Sequence, residues 1–336
     1  MNNIKRPKVG IVVLNYNGMT KFEKVFKKCV DSIVKTSYDN LKICFVDNGS
    51  SDNSVEYLKS INDKRVFILE LKNNFGWSGG NNRGAIFCKD CKYIAFVNND
   101  IEIIDPHWLN NLVSILETNP NIGVIQPLIY NKDGSISLGF SIGRLGFPKI
   151  RKYGDIYRPL FYVSGAALIT RAELFFRIGG FDESLFLLHD DLDYSWRILL
   201  AGYKPAVSYS SKVFHYGGKT FGTTSHTKAR QIYYMIRNNI WLLYKNYPIR
   251  LFLQYLFLWL YAIIISFLSK AIIYRETLNI KNIVLGLIHG ILFMNRNSNA
   301  KSLKTRNYDI IFERMDKRID VDLLAPWIKR VFKIKL

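Results

Sequence analysis

The sequence predicts a doubly wound α/β domain on a mostly parallel sheet, followed by a helical, membrane-associating extension. Strand and helix signatures alternate through the first half. Several of the strand signatures are unbroken apolar, β-branched runs, as in strands buried on both faces. From about residue 226 the pattern becomes helical, apolar and basic. These observations divide the chain into an α/β unit over 1–225 and a helical region over 226–336.

The first strand is "KVGIVVLNY" (8–16), followed by a helical pattern over about 20–34. A second strand, "LKICFVDNGS" (41–50), leads into "SDNSVEYLKS" (51–60), a helix whose Ser-Asp start suits a cap. "RVFILEL" is a third strand, "GGNNRGAIFCK" a helix start and "KYIAFVNND" a fourth strand. An amphipathic helix is expected after Pro106, then a fifth strand, "IGVIQPLIY" (122–130). Residues 131–160, rich in Gly, Pro, Arg and Lys, read as an irregular, mobile loop over a site, where the acceptor would be chosen. "FYVSGAALITR" (161–171) resumes as a strand, "DDLDYSWRILLAG" as a helix, and "VFHYGG" (213–218) as a short strand and turn.

With 336 residues, 49% of them hydrophobic, the chain can bury a large core. Its net charge of +20 is uneven: residues 1–200 hold 25 basic and 21 acidic side chains, residues 201–336 hold 22 and 6. The back half therefore faces something anionic, an acidic lipid surface or a nucleic acid. Its basic residues flank apolar helices instead of interleaving with aromatics, which favours lipid and argues against nucleic acid. "LFLQYLFLWLYAIIISFLS" (251–269) has the length of a membrane span, but Gln254 and Ser266 interrupt it, and 282–295 is too short to return the chain. Helices lying in the interface are the expectation. The N-terminus shows no apolar leader, and four cysteines make no disulfide framework, so the chain reads as facing the cytosol.

Ligands of such sheets bind at the carboxyl ends of the strands. Here those ends carry "NYNG" with Asn15, "DNGSSD" with Asp47 and "NND" with Asn99 and Asp100. Asp47 could accept from the imide N–H of uracil or thymine, or cap a helix through an Asx turn. The glycine-rich "NNFGWSGGNNRG" (73–84) before a helix suits a pyrophosphate. Asp100 at a strand tip suits a divalent cation, and His215 could join it in a mixed N/O site. Asp190, Asp191 and Asp193 open a helix, where acids are common. By helical spacing Asp190 and Asp193 share a face and Asp193 can pair with Arg197, four residues on. Asp191 is left as the free acid.

In order and spacing, "VVLNYNG", "VDNGSSD", "NFGWSGGNNRG", "FVNND", "SGAALITR", "GGFDESLF", "DDLDYSWR" and "HYGG" resemble the inverting family-2 nucleotide-sugar glycosyltransferases, from about Val9 to Pro248. The nearest likeness is to the rhamnosyltransferase-type branch of surface-polysaccharide enzymes, which often continues into sequence like "RNNIWLLYKNYP" (237–248). The resemblance implies a Rossmann-like, A-type glycosyltransferase fold. It implies that Asp47 reads the base and that Asn15, Asn74, Gly80, Asn81 and Asn99 lie at the donor. Asp100 matches the last residue of the family's Asp-x-Asp metal motif, with Asn98 at its first position, and His215 matches a histidine that completes the site for Mg²⁺ or Mn²⁺. The Asp190-Asp191 pair matches a Glu-Asp pair whose second acid is the catalytic base. The implied partners are a dTDP- or UDP-linked sugar and a lipid-linked glycan acceptor, met at the cytoplasmic face of the membrane. A processive polysaccharide synthase is the alternative within the fold, but its Gln-x-x-Arg-Trp motif is missing after the base.

Overall fold

The structure is a computed structural model that describes residues 6–155, 158–217, 225–274, 280–294, 308–316 and 318. Its first half alternates as the hydrophobic runs require: β1 (Val9–Asn15), α1 (Gly18–Val34), β2 (Leu41–Asp47), α2 (Ser54–Lys59), β3 (Val66–Glu70), α3 (Gly76–Phe87) and β4 (Tyr93–Asn98). A short β5 (Ile101–Ile103), α4 (Trp108–Thr118) and β6 (Ile122–Asn131) follow. Then come β7 (Ile136–Ser137), β8 (Phe140–Ile142), β9 (Pro148–Ile150), β10 (Ala167–Arg171), α5 (Ala172–Arg177), α6 (Asp190–Leu200) and β11 (Lys204–His215). The remainder is helical: α7 (Ser225–Asn246), α8 (Ile249–Tyr274), α9 (Ile280–Leu292) and α10 (Tyr308–Glu313).

The main sheet runs β3-β2-β1-β4-β10-β6-β11-β5, with β7 beside β6. Strands β1 to β4 are mutually parallel, and β11 is parallel to β6. Strand β10 is antiparallel to both β4 and β6, and β5 to β11. Successive side chains of a strand point to opposite faces, so an unbroken apolar run supplies two cores. Val9, Ile11 and Val13 of β1 join Phe22, Phe26, Val30 and Ile33 of α1 on one face. Val12 joins Ala85 of α3 and Phe175 and Phe181 on the other.

The glycines of "GWSGGNNRG" serve this second face. Helix α3 already begins at Gly76, so Gly80 and Gly84 lie inside it and not in a turn before it. A Cβ on Gly80 would stand 2.3 Å from Leu14 Cδ1, and one on Gly84 would stand 2.4 Å from Val12 Cγ1. Both glycines let the helix settle closely on β1.

Two expectations are corrected. Residues 131–160 are not an irregular loop over their described length. They form β7 and the β8–β9 hairpin, with Ile142 and Leu145 buried in a third core. Residues 161–171 are not one strand either. Only Ala167–Arg171 joins the ladder, because Tyr162 bridges to Phe140 and the Ser164 and Gly165 N–H groups donate to side chains of other elements.

The third core joins α6, the β8–β9 hairpin and α7, α8 and α10 through Trp196, Ile240, Leu243, Tyr247, Trp259 and Ile311. Helix α7 is also held by charge. Arg197 pairs with Asp193 at 2.8 Å, and Lys245 of α7 reaches Asp193 at 2.8 Å and Asp182 at 2.6 Å, all four well buried. Burial alone would raise the Asp193 carboxyl, but Arg197 and Lys245 outweigh it and hold it below its usual range. Among the described residues no helix is long and apolar enough to cross a membrane. Leu253, Phe257, Leu258 and Tyr261 of α8 and Val284, Ile288, Ile291 and Leu292 of α9 are exposed. Most of the basic segment 296–335 lies outside the described residues.

Gly84→Ala is expected to cost about 1–3 kcal/mol, because the new methyl meets stiff, buried valines. A lower urea midpoint with an unchanged slope is the expected result. An unchanged midpoint would mean that α3 is free to lift from the sheet.

Candidate active site

Three adjacent strand ends are tied together below the site. Asn99, just after β4, donates from Nδ2 to Asn15 Oδ1 at 2.9 Å, and Asn15 Nδ2 donates to Asp47 Oδ1 at 3.1 Å. Asp47 also accepts from the Ser50 hydroxyl on Oδ1 and from the Ser50 N–H on Oδ2. It therefore forms the Asx turn after β2, and of its roughly four acceptor positions one, on Oδ2, is left by the described residues. Asn15 and Asn99 are buried, and their recorded side-chain bonds join the strand ends to one another.

The loop before α3 closes on itself. Asn74 Oδ1 accepts from the Gly76 N–H at 2.8 Å and from Asn48 Nδ2 at 3.1 Å. The Trp77 N–H donates to Phe186 O at 2.7 Å. Two amides at the start of α3, those of Gly76 and Trp77, are thus spent inside the chain. Gly80, placed at the donor by resemblance, packs against Leu14. Asn81 donates from Nδ2 to Trp77 O, while its buried Oδ1 has no partner among the described residues.

Asp100 and His215 do meet. Strand β11 reaches the end of β4 alongside β5, and His215 Nε2 lies 3.4 Å from Asp100 Oδ1. A carboxylate beside an imidazole suits a borderline cation that takes its other ligands from phosphate and water. Among the described residues no group of three or more His, Cys, Asp or Glu side chains is gathered to hold a metal, so this pair would need those outside ligands. Asn98, at the first position of the motif, accepts the Trp77 indole N–H at 2.8 Å.

The aspartates at the start of α6 have three different environments. Asp193 sits in the ion cluster with Arg197, as the four-residue spacing suggested. Asp190 is buried and accepts from the Ser78 hydroxyl. Burial pushes its carboxyl well above the usual range, against the Ser78 bond, and the Asp191 charge adds to the shift. Asp191 is not free of partners: Oδ2 accepts from the Gly165 N–H and Oδ1 from the Leu192 N–H, both at 2.8 Å. Burial still raises its pKa despite these two bonds. His189, just before the pair, is pushed down to about 4 by burial and is neutral near pH 7.

Register brings the acid and the cation ligands to one place. Ala167 pairs with Val97, and the Asn98 N–H donates to Ala166 O. Gly165, which holds Asp191, is therefore next in line across from the Asn98–Asp100 tip. Trp77 lines the same corner, since a Cβ on Gly165 would stand 3.2 Å from its ring and 3.3 Å from Asp191 Cβ. Trp77, Ser78 and Gly165 were not singled out as site residues. They lie within the quoted "GWSGG" and "VSGAA", but their roles depend on contacts between distant parts of the chain.

Known proteins share sequence and architecture with this chain. An O-antigen biosynthesis protein of Myxococcus xanthus, RfbC, is 26% identical over 226 residues, covering 62% of this chain and 17% of its own. This chain spans at most 25% of the first two curated relatives it matches. Among solved structures, GalNAc-T7 with UDP, GalNAc and Mn²⁺ superposes with a TM-score of 0.60 at 15% identity, covering 98% of this chain and 58% of that one. The mannosyltransferase PcManGT of Pyrobaculum calidifontis, with GDP-Man and Mn²⁺, gives a TM-score of 0.53 at 14% identity, covering 99% and 89%. These likenesses identify the architecture as the A-type glycosyltransferase fold. The model of glycosyl transferase family 2 matches residues 10–179, half of the chain, and the protein belongs to that family.

Proposed function

We propose that the protein moves a hexose, with rhamnose the first to test, from a nucleoside-diphosphate sugar to a hydroxyl of a lipid-linked glycan during surface-polysaccharide synthesis. One observation carries the reading: a carboxylate fixed by backbone N–H groups, Asp191, stands across the β4–β10 junction from the Asp100–His215 pair. This is a base on one side and two cation ligands on the other, as an in-line displacement needs.

The acceptor oxygen attacks the anomeric carbon while Asp191 takes its proton. The bond from that carbon to the diphosphate breaks as the new one forms, which inverts the centre. A divalent cation, Mg²⁺ or Mn²⁺, held by Asp100 and His215 would neutralise charge on the leaving diphosphate. Asp47 Oδ2, with its remaining acceptor position, is suited to the imide of dTDP or UDP. The nucleotides and Mn²⁺ in GalNAc-T7 and PcManGT support the donor class and the cation, and the name of RfbC supports the pathway class. The exposed apolar side chains of α8 and α9, with the basic back half, support docking on the cytoplasmic face of a membrane.

A thermal-shift panel of dTDP-rhamnose, UDP-glucose, UDP-N-acetylglucosamine and GDP-mannose is expected to show stabilisation by at least one donor, larger with Mn²⁺ or Mg²⁺ than with chelator. No response to any of them would count against the donor class. Asp191→Asn is expected to lower kcat about 10²–10⁴-fold with donor affinity little changed. Because the Asp191 pKa is raised and the base must be ionised, the acid limb of kcat/KM should lie above the ordinary aspartate value of about 3.9. A limb at or below that value would remove Asp191 from the role.

Asp190 makes a separate prediction. Its raised pKa means that stability present in acid is lost as pH rises from the ordinary value through the raised one. Asp190→Asn should therefore melt higher than wild type at pH 7, by roughly 2 °C, with the gap closing toward pH 4. A lower melting temperature at pH 7 would contradict the burial argument.

A further inference from the structure

The turn that presents Asp190 and Asp191 is wound against its own preferences. Phe186, Leu188 and His189, none of them glycine, have φ of 63°, 69° and 66°. Each such residue costs on the order of 1 kcal/mol, and the conformation persists only where its surroundings hold it.

The middle of α7 holds it. Asn238, fully buried, shares the two hydrogens of Nδ2 among three carbonyls of the turn: Leu185 O at 3.1 Å, Leu187 O at 2.8 Å and Leu188 O at 2.9 Å. Arg237 donates from Nη2 to Ser184 O at 3.0 Å and Leu185 O at 2.8 Å. Its Nε donates to Asn238 Oδ1 at 2.8 Å, which fixes the amide so that its NH₂ faces the turn. The guanidinium lies over Trp241 at 4.2 Å and over Tyr234 at 4.8 Å, and the Tyr234 ring stacks on Phe186. Across the turn, Phe186 O accepts from Trp77, and a Cβ on Gly76 would stand 2.3 Å from that oxygen. Capping one helix needs far less than this. Both amide hydrogens of Asn238 and the Nη2 of Arg237 are spent on carbonyls of the turn.

We propose that Arg237 and Asn238 are positioning residues for sugar transfer, holding the 185–189 turn so that the Asp191 carboxylate meets the acceptor hydroxyl. This rests on Asp191 being the base. It also makes α7, which lies beyond the family match at 10–179, a working part of the catalytic unit.

The test uses the full chain. Asn238→Ala, Arg237→Lys and Asp191→Asn are compared by release of nucleoside diphosphate from the four donors of the panel with Mn²⁺, by donor affinity in calorimetry, and by backbone hydrogen exchange. The expected result for Asn238→Ala is a kcat lower by about 10-fold or more, since an ångström of misplacement can cost 10². Donor Kd should be unchanged, and amide protection should be lost over 184–191 but kept in α3. Adding Leu188→Gly, which removes the left-handed penalty, should restore part of the loss. A defect in α7 packing away from the turn would not be rescued by this glycine. Arg237→Lys keeps the charge without the fork and should show the same pattern, which covers the case that Asn238→Ala does not fold. Wild-type kcat and protection in both α7 variants, with Asp191→Asn inactive, would overturn the positioning role alone. Full activity of Asp191→Asn would overturn the base assignment and this inference with it. Since exchange is read without substrate, unchanged protection over 184–191 in both α7 variants overturns the proposal even if no donor is turned over.

Discussion

Carboxyl groups held out of water are the constraint around which the site is arranged. Removing an ionised carboxylate from solvent is costly unless hydrogen bonds or opposite charges replace the water. The three acids that open α6 meet this cost in three ways. Asp193 is neutralised by Arg197 and Lys245. Asp190 has a single hydroxyl, Ser78, and is pushed toward its neutral form. Asp191 accepts from the N–H groups of Gly165 and Leu192, and burial still raises its pKa. One helix start thus carries a paired anion, a buried acid pushed up by its surroundings and a candidate base.

The Asp100 side is built with equal economy. The Asn99–Asn15–Asp47 relay joins β4, β1 and β2 at their carboxyl ends and fixes the platform from which Asp100 projects. Strand β10, inserted antiparallel between β4 and β6, brings Gly165 to the same edge, and Gly165 anchors Asp191. The reversal of that one strand is what brings Asp191 to the Asn98–Asp100 tip. Helix α7 then closes the arrangement from outside, through Lys245 on the ion cluster and Arg237 and Asn238 on the turn.

Much of this was legible in the sequence where periodicity or spacing carries it. Unbroken apolar runs marked β1, β2 and β4 as doubly buried, and four-residue spacing marked the Asp193–Arg197 pair. The direction of β10 was not legible, because side-chain alternation is the same for parallel and antiparallel strands. The β8–β9 hairpin was hidden by strands only three residues long among Gly, Pro and basic residues. The glycines of α3 read as a phosphate loop because composition does not show which side of a helix start they occupy. Ser78, Gly165 and Asn238 could not be assigned roles, since their partners lie 112, 26 and about 50 residues away.

The claim that everything else depends on is a single displacement with Asp191 as base. The most direct measurement is the anomeric configuration of the transferred sugar, read by proton NMR on the product of wild-type enzyme. The account predicts the configuration opposite to that of the nucleotide sugar. A product that keeps the donor's configuration would contradict it.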